Sequence, residues 1–325
     1  MAADTHLCFR HLLGQEKAKK LLLRSLGAGR IPHAYIFKGP DGVGKKLFAR
    51  GVAMAVNCRE SSSIGACGSC VSCRKYRSMN HPDFLIIQPE KGVIKIDQIR
   101  MMSRELDYPP YESTMRVVVL EDVHTMRREA ANSLLKTLEE PPRGNLLILT
   151  AESSREVLAT LSSRCQVVPF FHLRQHDTVA ILVQQGVSPE EAPLLARLSE
   201  GSPGTALRYE KTEMVPLCRE VIDLLCDPGV DPDRDVGKLL LISEKMALLK
   251  EDLPALFGLL KVWLRDLLVG ESAWCIGGER GEAVAKSWSS NKLFAKLQAV
   301  ERAEQQLLRN CNRNLVCEVL LFTLQ

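Results

Sequence analysis

Nowhere do the 325 residues run for the roughly eighteen consecutive apolar positions that a membrane-spanning helix needs, so no transmembrane helix is expected. The opening stretch, Met1 to Arg10, has no apolar signal core and carries Asp4 and His6, which reads as a cytoplasmic protein. Aromatic residues make up only 5% of the chain, and the net charge is only +4, spread over a large surface. Those shortages leave no concentrated basic stripe with stacking side chains, and so speak against a protein whose main task is gripping nucleic acid. There is no internal repeat and, beyond Ser61–Ser62–Ser63, no low-complexity tract. A repeat array is therefore excluded. What is present is ordinary for a globular protein: 46% hydrophobic and 25% charged residues, in a chain long enough for two or three cores.

The first half alternates short apolar runs with helical patterns. Ala34–Phe37, Phe84–Gln88, Arg116–Glu121, Leu146–Ala151 and Gln166–Phe170 are rich in Val, Ile, Leu or Phe without polar alternation, as in strands buried on both faces. Between them Gln15–Leu26, Lys45–Val56, Ile96–Asp107 and Arg127–Glu140 read as helices. This order predicts an α/β fold with a parallel sheet and crossover helices. In the last of these helices Ala130, Leu134, Leu135 and Leu138 share a face, and Pro141–Pro142 stop it, because proline has no amide hydrogen to donate. After about Leu173 the strand signals end. His176–Gln185, Pro189–Ser199 and Gly204–Tyr209 predict three short helices. A turn-rich stretch with Pro216, Asp227–Pro228–Gly229 and Asp231–Pro232–Asp233 predicts the next junction. Apolar periodic stretches from Val236 onward, including Leu253–Val269 and Asn291–Leu308, predict a helical bundle.

Gly39–Pro40–Asp41–Gly42–Val43–Gly44–Lys45–Lys46 lies between a predicted strand and a predicted helix, the setting of a P-loop. Glycines let successive amides and the helix start face a phosphate, and Lys45 supplies a point charge. The pattern then calls for a Ser or Thr hydroxyl on magnesium, and here stands Lys46. A glycine turn without any ligand is the competing reading. Arg116–His124 resembles the acidic strand of such sites, where an aspartate holds magnesium and the next glutamate activates water. Here Glu121 and Asp122 stand in reversed order, which displaces both carboxylates, and positioning supplies much of phosphoryl-transfer catalysis. Hydrolysis is not expected; ATP or ADP binding stays open.

Eleven cysteines in a cytoplasmic setting do not suggest disulfides. Cys8, Cys165, Cys218, Cys226, Cys275, Cys311 and Cys317 are scattered among apolar neighbours and are expected as buried thiols. Cys58, Cys67, Cys70 and Cys73 cluster with spacing C-x8-C-x2-C-x2-C, beside Gly65, Gly68 and Ser69 for tight turns. Four thiolates so close in sequence predict one structural, tetrahedral Zn²⁺ with no open position. Arg74, Lys75 and Arg77 follow; they suit either a nucleic-acid contact or a solvated basic face.

A P-loop, a four-cysteine insert, Leu134–Leu135–Lys136–Thr137–Leu138–Glu139–Glu140–Pro141–Pro142 and then Ser163–Arg164–Cys165 together resemble bacterial clamp-loader subunits of the AAA+ class. Leu13–Gly14–Gln15 and Pro32–His33–Ala34 match that family's opening pattern, and the likeness runs from about Leu12 to Leu207. The resemblance implies an AAA+ α/β domain at residues 1–173 with the zinc module at 57–78, a three-helix lid at 174–212 and an all-α collar at 213–325. It also implies a hetero-pentameric ring with motor (gamma/tau) and delta subunits, which opens the sliding clamp and places it on primed DNA. Motor subunits of this family carry a lid arginine in a Gly-Ser-x-Arg pattern, but Gly201–Ser202–Pro203–Gly204 puts glycine there. With Lys46 and the exchanged acids, this makes the resemblance one to the non-hydrolysing, delta-prime kind. In that kind Arg164 is implied to reach across an interface to a neighbour's γ-phosphate. An ATP-hydrolysing motor subunit and a zinc-containing nucleic-acid-binding protein are the alternatives.

Overall fold

The computed structural model describes residues 12–60, 65–152, 157, 159–227, 229, 235–269 and 288–325. The expected strands form as β1 (Ala34–Gly39), β2 (Phe84–Ile87), β3 (Arg116–Leu120), β4 (Asn145–Glu152) and β5 (Gln166–Pro169). They pair in parallel in the order β2-β3-β4-β1-β5. The reason their sequences lack polar alternation lies in the two cores. Tyr35, Phe37, Val117, Val119, Leu146 and Ile148 face one core, while Ala34, Ile36, Val118, Leu120, Leu147 and Leu149 face the other. Successive strand side chains point to opposite faces, so a sheet covered on both sides needs apolar residues at every position.

The first core is closed by α1 (Glu16–Gly27), α2 (Lys45–Val56) and α3 (Val71–Arg77), and the second by α4 (Ile96–Leu106), α5 (Arg128–Glu139) and the single turn α6 (Ala159–Ser162). Because β1, β4 and β3 run parallel, the carboxyl ends of β1 and β3 open on the same edge of the sheet, on either side of β4. Ligands of open α/β sheets bind in such crevices.

The chain divides into two compact units, Met1–Ala206 and Leu207–Gln325. The first also contains α7 (Gln175–Gln184), α8 (Ala192–Leu198) and the start of α9 (Pro203–Lys211). In the second, the α-helices that follow α9 among the described residues are α10 (Met214–Cys226), α11 (Val236–Ala247), α12 (Leu253–Val269), α13 (Ser290–Leu308) and α14 (Arg313–Leu324), and no strand forms there. Its core includes Leu256, Phe257, Leu260, Trp263, Val300 and Leu321.

Two expectations need correction. Pro216 lies inside α10 rather than in a turn. It stands in the first helical turn, where the amide it lacks would have had no intrahelical partner. Of the turn signals that follow, Asp227 ends α10 and Gly229 is a turn residue, while Pro228 and 231–233 lie outside the described residues. Cys311 is exposed, because it sits in the polar connection between α13 and α14, beside Asn310 and Asn312. Cys165, Cys218, Cys226 and Cys317 are buried as expected, and Cys8 and Cys275 lie outside the described residues.

Candidate nucleotide site and cysteine cluster

The glycine loop follows β1 and ends in the amino terminus of α2, with Gly44 at the cap in the left-handed region (φ 99°). Neither of its lysines is free. Lys45 is buried, and its ammonium turns back to donate to the carbonyls of Gly39 (2.9 Å) and Pro40. Burial lowers its pKa, against the opposing charges of Asp41, Asp122 and Glu152. Lys46 reaches the end of β3, with Nζ 2.8 Å from Glu121 Oε2 and 3.0 Å from Asp122 Oδ2. Burial alone would lower the Lys46 pKa, but hydrogen bonds and charge from both carboxylates outweigh it and raise it. Asp122 takes a left-handed backbone (φ 53°), and its amide donates to the Thr150 hydroxyl at 2.9 Å. The structure thus brings Gly39, Gly42, Gly44, Lys45, Lys46, Glu121 and Asp122 together, with the Lys46 ammonium against both acids.

The glycine at position 204 does more than lack an arginine. Gly204 donates its amide to the Gly42 carbonyl at 2.9 Å, and Ser202 Oγ donates to the Asp41 carbonyl at 2.7 Å. A Cβ on Gly204 would stand 2.7 Å from the Gly42 Cα, and one on Gly42 would stand 2.3 Å from Ser202 Oγ. The start of α9 therefore sits on the loop backbone, a closeness only two glycines permit. Gln15, in the sequence part of the opening pattern and the start of a predicted helix, fastens the same region. Its Nε2 donates to the Phe171 carbonyl (2.6 Å) and its Oε1 accepts from the Phe171 amide (3.1 Å), just beyond β5.

The four clustered cysteines converge. Their Sγ atoms all lie within 4.8 Å of one another, and Cys67 and Cys73 are 3.9 Å apart. Sulfurs about 2.3 Å from a tetrahedral zinc ion would stand about 3.8 Å apart, so the set fits a metal ion such as zinc. Backbone amides are aimed at the sulfurs: Cys67 N at Cys58 (3.2 Å), Ser69 N and Cys70 N at Cys67 (3.4 and 3.3 Å), and Cys73 N at Cys70 (3.5 Å). The Cys70 amide, followed by the Ser69 hydroxyl and amide, lowers the Cys67 thiol to about 6. Such donors favour the thiolate form that metals bind. The basic residues beyond are partly committed inside the chain: Lys75 pairs with Glu112 at 2.6 Å, and Arg77 donates to the Gly68 carbonyl.

Arg164 lies between α6 and β5, partly exposed. Its Nη2 is 2.6 Å from Glu139 Oε1, and its Nη1 donates to the Thr160 carbonyl at 3.1 Å.

Residues 14–174 match the family model described as DNA polymerase III, delta subunit. The match spans just under half of the chain. It is 37% identical over 185 residues to the DNA polymerase III subunit delta' of Bacillus subtilis (strain 168), an overlap covering 57% of this chain and 56% of the relative. It is 35% identical over 141 residues to the delta' subunit of Pseudomonas aeruginosa, 43% of each chain. Subunit tau of Escherichia coli (strain K12) is 33% identical over 208 residues, 61% of this chain and 32% of tau. The overlap therefore spans little more than half the length of the Bacillus relative and a third of tau. In fold the chain is similar to a gamma subunit-related protein of DNA polymerase III from Thermotoga maritima, with a TM-score of 0.51, 20% identity, and 94% and 97% of the two chains covered.

The chain also holds a buried polar junction that its sequence does not announce. Asp83 has no exposed surface, and its carboxylate accepts from the amides of Tyr111 (2.6 Å), Glu112 (2.9 Å) and Ser113 (2.9 Å). Arg116, also buried, donates to the carbonyls of Glu105, Tyr108 and Pro109. His81 stacks on Tyr76 of α3 with ring centroids 4.2 Å apart, and lies 3.2 Å from the Ser113 hydroxyl. The junction ties the cysteine-bearing segment to the loop ahead of β3. A charged residue opening an apolar strand, as Arg116 does, was its only trace in the sequence.

Proposed function

We propose that this chain is the non-hydrolysing, delta-prime kind of clamp-loader subunit. In this reading it works in the cytoplasm within a hetero-pentameric ring of motor (gamma/tau) and delta subunits that loads the sliding clamp onto primed DNA. The observation that carries it is the Lys46 ammonium between Glu121 and Asp122. A cation of the chain itself there removes both the hydroxyl and the room that magnesium needs beside a γ-phosphate. The chain then contributes to ATP turnover only through Arg164, whose guanidinium stabilises charge on the γ-phosphate held by an adjacent motor subunit. Arginine suits this because it stays charged and offers several fixed donors to phosphate oxygens. Residues 1–173 form the AAA+ domain, 174–212 the lid and 213–325 the collar. The four thiolates hold Zn²⁺, and with all four positions filled the ion is structural.

The test is Arg164→Ala in a reconstituted ring, scored by DNA-dependent ATPase and clamp loading. Arginine fingers supply roughly a thousandfold or more where they complete a site. One site of several is affected, so the ring should assemble, turn over ATP more slowly and load clamps poorly. A ring that assembles and loads at the unmodified rate leaves Arg164 as a surface arginine. The match to tau over 208 residues favours a motor subunit as the second reading. Magnesium-dependent ATP turnover by the isolated chain would establish it.

A further inference from the structure

The ion pair made by Arg164 sits where helix electrostatics disfavours its acid. Glu139 is the last residue of α5, followed by Glu140 and Pro141–Pro142. The last turn of a helix carries unpaired carbonyls and the negative end of the dipole, so a carboxylate there is repelled unless a cation answers it. Arg164 answers it at 2.6 Å. The guanidinium is also held by the Thr160 carbonyl at 3.1 Å and faces the Ser163 hydroxyl at 3.4 Å, both through Nη1. These contacts engage at most three of the five N–H donors of an arginine, leaving the others for an acceptor outside the described residues.

We propose that Glu139 is a positioning residue for Arg164, holding the guanidinium in the pose from which it meets the phosphate of a neighbouring subunit. This rests on the reading of Arg164 given above. A carboxylate so placed can either set a pose or lock the arginine away, and strength decides between the two. The Glu139 and Arg164 side chains are 49% and 35% exposed. A pair that open to water is worth at most about a fivefold factor in an equilibrium. Phosphate oxygens, binding a guanidinium through paired charged hydrogen bonds, outcompete it, so it is too weak for a lock. It is strong enough to bias a long side chain among its rotamers, and ordering in advance lowers what must be ordered on engagement.

The experiment uses rings reconstituted with the full chain carrying Glu139→Ala, Glu139→Gln, Arg164→Ala or Glu139→Ala with Arg164→Ala. DNA-dependent ATP turnover should fall about two- to fivefold with Glu139→Ala, and less with Glu139→Gln, which keeps an acceptor in place. The double variant should be no slower than Arg164→Ala alone, because Glu139 acts only through that arginine. Both single Glu139 variants should melt within a few degrees of the native chain, which separates positioning from a general structural role. If Arg164→Ala slows the ring while Glu139→Ala leaves it unchanged or speeds it, the positioning role is wrong and the reading of Arg164 stands. Additive losses in the double variant overturn the positioning role as well. If Arg164→Ala has no effect, both fall together.

Discussion

Replacing Lys46 by threonine tests whether its ammonium stands in for a metal ion. The substitution removes the cation 2.8 Å from Glu121 and 3.0 Å from Asp122, and Glu121 is only 4% exposed. Breaking a fully buried pair costs about 3–5 kcal/mol, and an exposed pair about 1 kcal/mol or less. The Lys46 side chain is 44% exposed. The loss therefore falls between these limits, at about 1.5–2.5 kcal/mol. For a unit of this size that lowers Tm by about 3–10 °C. The pH dependence follows from the raised Lys46 pKa. A cation raised on folding contributes stability that is complete below its unfolded value, about 10.4, and is lost as pH rises through the folded value. The gap between native and variant chains should thus be full at neutral pH and close only in strong alkali. Magnesium supplies the second arm. The variant has two carboxylates and a hydroxyl where the ammonium stood, so magnesium should raise its Tm and leave that of the native chain unmoved. At a hundredfold excess over Kd, binding would return about 2.7 kcal/mol. ATP turnover should stay absent, since the acids remain exchanged and Gly204 has no guanidinium. The assay is thermal melting at neutral and alkaline pH, with and without magnesium. Equal magnesium stabilisation of both chains, or no loss of Tm on substitution, would refute the internal-cation reasoning.

Two further outcomes are expected. Protein purified without added metal should carry about one equivalent of zinc per chain; no metal, or disulfides among Cys58, Cys67, Cys70 and Cys73 in reducing buffer, would sink the assignment. Asp83→Asn should cost about 2–4 kcal/mol in urea melts at pH 7, because an amide nitrogen would face a backbone donor in a buried site. Burial works to raise the Asp83 pKa, but the amides of Glu112, Tyr111 and Ser113 outweigh it and lower it. That stability is present above the ordinary carboxylate value and lost as pH falls through the folded one, so the gap should close in acid. A gap that widens in acid would contradict the three-amide account.

The strands were legible because a doubly covered sheet demands apolar residues at every position, and that demand is visible in a run such as Val117–Val118–Val119–Leu120. Helix limits came within a few residues because apolar periodicity and prolines such as Pro141–Pro142 are local signals. Pro216 misled because proline is a stop signal in most helical positions and harmless in the first turn, and which applies depends on where the helix begins. The converging cysteines were legible from spacing alone. The Asp83 junction was not, since its three donors are backbone amides, which every sequence possesses.

The departures from the phosphate-site pattern were each legible as a missing group, but their coupling was not. Lys46 meets Asp122 across 76 positions of sequence, so its role depends on the strand order that brings β1 and β3 to one edge. Gly204 meets Gly42 across a greater separation still, and the sequence at that position shows only a lost arginine. With the Gly42 Cα 2.7 Å from where a Cβ would stand, an arginine at 204 has no place until the loop and the start of α9 separate. Parting them breaks the Gly204–Gly42 and Ser202–Asp41 hydrogen bonds that hold the loop. Lys46 and the exchanged acids form a second, independent closure on the other side of Gly44. A single reversion therefore restores one group to a site that the other closure still fills. Both positions that depart from the pattern, Lys46 and Gly204, are thus engaged in contacts of their own within the loop region.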